Sequence, residues 1–184
     1  MMTLLLFAHP DFQASRANRA MLDAVADVSD LEVRRLYDLY PDGRIDAATE
    51  RSRLLRADRL VFQFPLQWYA TPALLKEWQD AVLSPLVYGD PAATALMAGL
   101  PVIVATTTGG PFASYRPGGS AATIDALLAP LETTARRCGW QWRPPFAVHD
   151  VRNLDDADLA RAAADYRAAL LSVPMLDRKH LTES

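Results

Sequence analysis

The chain of 184 residues has one cysteine, Cys138, so no internal disulfide can form, and a reducing compartment suits it. Its three histidines, His9, His149 and His180, are scattered, and with a single cysteine they offer no metal-ligand spacing; no metal site is expected. There is no basic block, and the formal net charge is −3, which argues against nucleic acid as a partner. No apolar run approaches the roughly 20 residues that span a bilayer, so any membrane contact is expected to be peripheral. The opening MMTLLLFAHPD lacks a basic n-region and a small-residue cleavage site, and reads as a first strand and not a signal peptide. The chain also lacks G-x-G-x-x-G and G-x-x-x-x-G-K-[ST], which argues against a Rossmann NAD site and a P-loop NTPase. It has no G-x-S-x-G nucleophile elbow. A receiver domain would need an acidic cluster after the first strand, where only Asp11 stands.

What is present is apolar and periodic. Hydrophobic residues make up 51% of the chain, enough for one domain with a sizeable core. Apolar runs predict strands at Thr3–Ala8, Leu31–Tyr37, Arg59–Phe64 and Pro101–Thr107, with a fifth at Gln141–Val148 broken by Pro144-Pro145. Helical spacing predicts helices at about 17–28, 47–57, 72–82, 124–138 and 159–170. Pro130 should kink or restart its helix. Asp38–Asp46 and Ser84–Gly99 read as irregular, and Val173–Ser184 as a frayed tail after a single domain at 1–172. Alternating strands and helices with apolar central strands imply a doubly wound parallel α/β sheet. Five strands suit the flavodoxin-like order 2-1-3-4-5, with a ligand at the switch point between strands 1 and 3.

In that order the loops after strands 1, 3 and 4 lie side by side, and each is unusual. The first runs from His9 to Asn18. Ser15 is an N-cap candidate, and the first-turn amides with Arg16 would suit a phosphate, although an ordinary capped helix with a solvated arginine has the same sequence. His9 stands just past the strand end, where it can meet a ligand or simply pack. The second is Phe64–Trp78, FPLQWYATPALLKEW: Pro65 stops the strand, Pro72 suits a helix start, and Trp68 and Tyr69 fall between. Neighbours in an extended loop point opposite ways, so one of these two aromatics should face the cleft, the alternative being that both are core. The third is Thr106-Thr107-Thr108-Gly109-Gly110-Pro111, whose glycines let backbone amides approach a ligand or merely make a tight turn. Tyr115 follows, as a cover for a ring or as a loop aromatic. An anion site, an aromatic wall and a glycine floor at one switch point match the layout of a flavin mononucleotide site.

L-L-L-F-A-H-P followed by S-R-A-N, P-L-Q-W-Y-x-x-P-A-L-L-K-E-W, and T-T-G-G resemble the NAD(P)H:quinone oxidoreductase family of flavodoxin-like flavoproteins. L-Y-D-L-Y-P-D-G-R-I-D at Leu36–Asp46 and P-P-F-A-V-H at Pro144–His149 resemble its short bacterial branch, the ancillary subunits of glutathione-regulated potassium-efflux systems. The resemblance runs from about Leu4 to Tyr166. It implies that His9, Ser15, Arg16, Ala17 and Asn18 hold the phosphate and ribityl part of FMN. Leu66, Gln67, Trp68 and Tyr69 would line the ring, and Thr107, Thr108, Gly109 and Gly110 its pyrimidine edge. Tyr115 matches a family tyrosine over the ring and is the candidate catalytic residue; the family's histidine six residues on is Ala121 here. The chain is short for the carboxyl-terminal region used around FAD, which favours FMN over FAD.

The expected function is therefore two-electron reduction of a quinone by NADH or NADPH through FMN. The resemblance also implies a homodimer with its site at the subunit interface. A second expectation is a regulatory subunit that binds a membrane antiporter and gates potassium efflux, cytoplasmic and peripheral at the inner face of the membrane. A third, a flavodoxin-like electron carrier, would show one-electron chemistry and no reaction with NAD(P)H; a net charge of −3 gives it little support.

Overall fold

The structure, a computed structural model, describes residues 1–177. Five parallel strands form the sheet in the order β2-β1-β3-β4-β5: β1 (Thr3–Phe7), β2 (Leu31–Arg35), β3 (Arg59–Pro65), β4 (Pro101–Thr107) and β5 (Gln141–Trp142). A sixth, β6 (Phe146–Val148), also pairs with β4, beside Ala105–Thr107, while β5 pairs with Pro101 and Val102. The expected break at Pro144-Pro145 thus divides one edge strand into two short pieces on the same partner, as missing ladder donors require.

The side-chain alternation of the strands divides the core in two. Leu4, Leu6, Leu60, Phe62, Phe64, Val102 and Val104 face one side. There they meet α3 (Ala47–Arg56), α4 (Ala73–Gly89) and α6 (Ile124–Arg137) through residues such as Leu54, Trp78 and Leu131. Leu5, Phe7, Val61, Ile103 and Ala105 face the other side. They pack on Met21 of α1 (Arg16–Asp23) and on Tyr166 and Leu170 of α7 (Asp156–Ser172). Strands apolar on both faces are what a doubly wound sheet demands.

Four local expectations are corrected. The second strand stops at Arg35, and Leu36–Leu39 turns into α2, burying Leu36 against the α4 side. The segment 84–99 is largely helical: α4 runs through Pro85 to Gly89, and α5 spans Pro91–Ala95. Leu75, Trp78, Val82 and Leu86 form one fully buried stripe across that proline. Burying a leucine is worth about 1.5–3 kcal/mol, comparable to the interior proline penalty of about 3 kcal/mol, so Leu86 holds the helix together. Asp90 then caps α5, its Oδ1 accepting the Ala93 amide at 2.9 Å. Of the kink or restart expected at Pro130, the restart does not occur: α6 is continuous from Ile124 to Arg137, with Leu128, Leu131 and Ala135 burying one stripe on both sides of the proline. The first helix ends at Asp23, and turns carry the stripe on to Val28.

Two buried polar clusters brace the sheet. Glu50 is fully buried and accepts from Arg34 at 2.6 Å, Tyr40 Oη at 2.7 Å and Trp78 Nε1 at 3.0 Å. The loss of solvent, and then that carboxylate, push the Tyr40 phenol up to about 12. Arg59 donates to the Leu170 and Val173 carbonyls at 2.7 and 2.8 Å, clamping the carboxyl end of α7. Beyond it Val173 is buried and the Leu176 amide donates to Asp58 O at 2.6 Å, so 173–177 is held against the fold and not frayed. The rest of the expected tail, with His180, lies outside the described residues. Among the described residues no helix is long and apolar enough to cross a membrane.

Candidate functional site

The chain leaves β1 for β2 on one side and for β3 on the other, so the loops after β1, β3 and β4 open a crevice at the carboxyl edge of the sheet. There a cleft of about 480 Å³ is lined by His9, Ser15, Arg16, Ala17, Asn18, Leu66, Gln67, Thr107, Thr108 and Gly109, all expected from the sequence. Its size falls in the ordinary range for small-molecule sites. Ala14, Pro65, Val151 and Arg152 complete it and were not expected. A smaller groove of about 270 Å³ between α4 and α6 lies away from this edge.

The α1 end of the cleft is built for an anion. Ser15 occupies the N-cap position, yet its side chain accepts no helix amide; its Oγ accepts from Asn18 Nδ2 at 3.1 Å. The expected cap is therefore absent, and the amides of Arg16, Ala17 and Asn18 have no partner among the described residues. Uncapped amides at a helix start, reinforced by the helix dipole, attract negative charge. His9 adds a donor. Its Nδ1 accepts the Asp11 amide at 3.0 Å, which leaves the proton on Nε2. Burial lowers the His9 pKa below 6.5, against the opposing pull of Asp11. The Arg16 guanidinium, by contrast, is committed to Asp156 at 2.7 Å and Leu154 O at 3.1 Å. It ties α1 to the start of α7, so the anion end relies on amides more than on this side chain.

The loop after β3 is not extended. Trp68 and Tyr69 have φ of 49° and 65°, the left-handed region. Gln67 and Ala70 close the turn with amide-to-carbonyl bonds of 3.0 and 3.1 Å. This is the geometry of a two-residue turn with both central φ positive, normally given to Asn-Gly. The expected alternation of the two aromatics therefore does not apply. Neither lines the cleft; Trp68 is 94% and Tyr69 54% exposed on its rim. Bulky residues in this conformation carry strain of a kind that clusters at functional sites.

The loop after β4 supplies the floor. The Gly109 and Gly110 amides have no partner among the described residues, but only Gly109 lines the cleft; Gly110, also expected there, does not. A Cβ on Gly110 would lie 3.2 Å from the Tyr115 ring, so this glycine lets the tyrosine pack down. Tyr115 itself, in the short helical turn Phe112–Tyr115, does not line the cleft, and Ala121 returns to that turn through its amide on Ser114 O at 2.9 Å.

His149, which the sequence left among scattered histidines, joins this loop. Its Nδ1 lies 3.0 Å from Thr108 Oγ1, whose own proton goes to Gly110 O at 2.8 Å. The hydroxyl has one proton, so His149 Nδ1 must donate, leaving Nε2 as a bare acceptor in the neutral ring. Phe112 and Tyr115 flank the ring at 5.4 Å each, and burial lowers its pKa. Its place just past β6 at the carboxyl edge is the signal that could have found it.

A buried chain of hydrogen bonds underlies the cleft. Tyr166 Oη donates to Gln63 Oε1 at 3.0 Å, and Gln63 Nε2 to Asn18 O at 3.1 Å. Asn18 Nδ2 in turn reaches Ser15 Oγ and Thr107 Oγ1, both at 3.1 Å. Desolvation raises the Tyr166 pKa, so the phenol stays a donor. Four elements are locked beneath the site by a network with its partners satisfied. A glutamine in the middle of the apolar strand LVFQF was its legible trace.

The family described as a flavodoxin-like fold, Flavodoxin_2, matches residues 1–170. Over 171 residues the chain is 44% identical to the glutathione-regulated potassium-efflux system ancillary protein KefF of Enterobacter sp. (strain 638), covering 92% of this chain and 96% of that protein. The general stress protein 14 of Treponema denticola, solved in complex with FMN, superposes with a TM-score of 0.85 at 35% identity, covering 94% of this chain and 99% of that one. An NADPH-quinone reductase of P. pentosaceus gives 0.83 at 27% identity, with 95% and 100% covered. The strand order, the switch-point cleft and these matches together place the chain in the Flavodoxin_2 family of flavodoxin-like folds.

Proposed function

We propose that the chain is an FMN-dependent NAD(P)H:quinone oxidoreductase. The observation that carries this reading is the cleft itself, with unpartnered amides at both ends. The Arg16–Asn18 amides, the Ser15 hydroxyl and His9 Nε2 suit a phosphate monoester; the Gly109 amide suits the carbonyl edge of a planar ring. The similar Treponema denticola protein is an FMN complex, and the similar P. pentosaceus protein is an NADPH-quinone reductase. When bound, FMN supplies hydride acceptance from NAD(P)H and two-electron donation to a quinone. The chain's own residues hold and orient it. Leu66 and Gln67 form a wall, and Tyr115 with His149 stands behind the glycine floor. The exposed rim of Trp68, Tyr69 and Phe112 fits a second copy closing over the cleft, the homodimer that the family resemblance implies.

The test is an absorption spectrum of the purified protein followed by anaerobic addition of NADPH or NADH and then a quinone. Yellow protein that bleaches in a two-electron step and recolours with quinone is the expected result. Protein that stays colourless after incubation with FMN overturns the reading.

A second reading rests on the identity of 44% to an efflux-system ancillary protein: a subunit that activates a potassium antiporter. The two readings are compatible. Potassium efflux measured in cells carrying the antiporter, with and without this chain, tests it; equal efflux refutes it.

A further inference from the structure

Arg152 is a cleft residue that neither the sequence pattern nor the family resemblance assigned. It stands on the turn after β6, where Asp150 has φ of 55° and its carbonyl accepts the Asn153 amide at 2.9 Å. Three backbone bonds lace this turn to the floor: Thr108 N to Val148 O at 2.9 Å, Asp150 N to Gly110 O at 2.9 Å, and Val151 N to Thr108 O at 3.1 Å. The base of Arg152 is thereby fixed against Thr108–Gly110. Its side chain lies over Gly109: a Cβ there would sit 3.6 Å from Nε and 3.8 Å from Cζ of the guanidinium.

The charge is uncommitted. Among the described residues Arg152 forms no ion pair, and the neighbouring carboxylates are engaged elsewhere. Asp150 accepts from Asn153 Nδ2 at 2.7 Å, Asp155 caps α7 through the Asp158 amide at 2.7 Å, and Asp156 holds Arg16. An exposed arginine usually finds such a partner or points into solvent. This one instead lays its guanidinium against Gly109, whose own amide is free.

We propose that Arg152 is the charge partner of the flavin's pyrimidine edge, contacting the N1–C2 carbonyl side of bound FMN and stabilising the negative charge that reduction leaves there. The inference rests on the FMN reading above. A hydride from NAD(P)H brings two electrons and one proton to the ring; the nicotinamide gains a positive charge and the ring, with N1 unprotonated, a negative one. A guanidinium beside N1 and C2 carbonyl therefore favours the reduced over the oxidised ring and raises the potential. A contact to the FMN phosphate would instead favour both redox states equally, because that charge does not change.

The test compares wild type with Arg152→Met and Arg152→Lys, each reconstituted with FMN. Two quantities are read: the dissociation constant for oxidised FMN and riboflavin by fluorescence, and the two-electron midpoint potential against a reference dye. Arg152→Met should hold oxidised FMN nearly as tightly as wild type. It should lose about tenfold for reduced FMN, the low end for a hydrogen bond to a charged group. That tenfold reads as a midpoint lower by about 30 mV. Arg152→Lys should recover part of the shift. An unchanged midpoint in Arg152→Met overturns the inference, as does an equal loss for both redox states with riboflavin unaffected, which marks a phosphate contact. Wild type that binds no FMN overturns the FMN reading and this inference with it; wild type that binds while Arg152→Met keeps its midpoint sinks this inference alone.

Discussion

Replacing Trp68 by glycine should stabilise the flavin-free chain as a single copy and weaken the protein's hold on FMN. Trp68 sits at φ 49°, followed by Tyr69 at 65°, with only the two bonds between Gln67 and Ala70 closing the turn. A Cβ in the left-handed region costs about 1–2 kcal/mol, which glycine does not incur. The greater freedom of glycine in the unfolded chain returns about 0.4–1 kcal/mol of that. Little burial is forfeited, because the indole is 94% exposed. The balance is a gain of about 0.5–1 kcal/mol, or a Tm rise of about 1–4 °C for a domain of this size. Calorimetry of the flavin-free protein at several concentrations measures the first part, and quenching of FMN fluorescence the second. A Tm that falls by more than about 2 °C at every concentration would refute the argument, since a side chain exposed in the folded state has nothing to lose. A fall that grows with protein concentration would place the indole between two copies. FMN affinity unchanged by the substitution would detach the strained turn from the cleft.

Other perturbations test the frame around the site. Glu50→Gln should cost about 3–5 kcal/mol in urea unfolding, because it leaves Arg34 half-buried without its carboxylate. A loss below about 1 kcal/mol would show that solvent reaches the cluster. Gly119→Ala should disrupt the loop carrying Tyr115, since a Cβ there would lie 2.4 Å from Ser114 O; an unchanged Tm and unchanged FMN affinity would contradict this packing. Stability should also fall with acid before the carboxylates titrate. The pKa values of His9 and His149 are both lowered from 6.5 by burial, so below that pH the unfolded chain binds more protons than the fold. Their contribution is complete above about pH 6.5 and is lost as pH falls toward the lowered folded values. The urea midpoint should therefore drop as pH falls below about 6.5, and His9→Asn with His149→Gln should flatten that slope; an equal slope in the double variant would contradict it.

The core of the fold was legible because burial on two faces leaves a mark in the chain. Thr3–Phe7, Arg59–Phe64 and Pro101–Thr107 are apolar almost throughout, and a strand can be so only between two layers of helices. Prolines were read too literally. Pro85 and Pro130 each remove one backbone bond, but whether a helix survives that loss depends on what Leu86 and Leu131 bury against, which local sequence does not state. Ser15 was read as a cap because serine caps are local; its hydroxyl is in fact diverted to Asn18, a residue that is itself tied across the sheet to Thr107.

By itself, then, the order of residues determined which segments are strands, how they must layer, and which three loops meet at one edge, since periodicity and chain reversal are properties of neighbours along the chain. Only the tertiary structure decided which atoms face the cleft. It turned Arg16 away to Asp156, set Trp68 and Tyr69 on the rim, and brought His149 and Arg152 beside Thr108–Gly110 from about forty residues downstream. A side chain's partner depends on the packing of distant segments, and no local pattern encodes it.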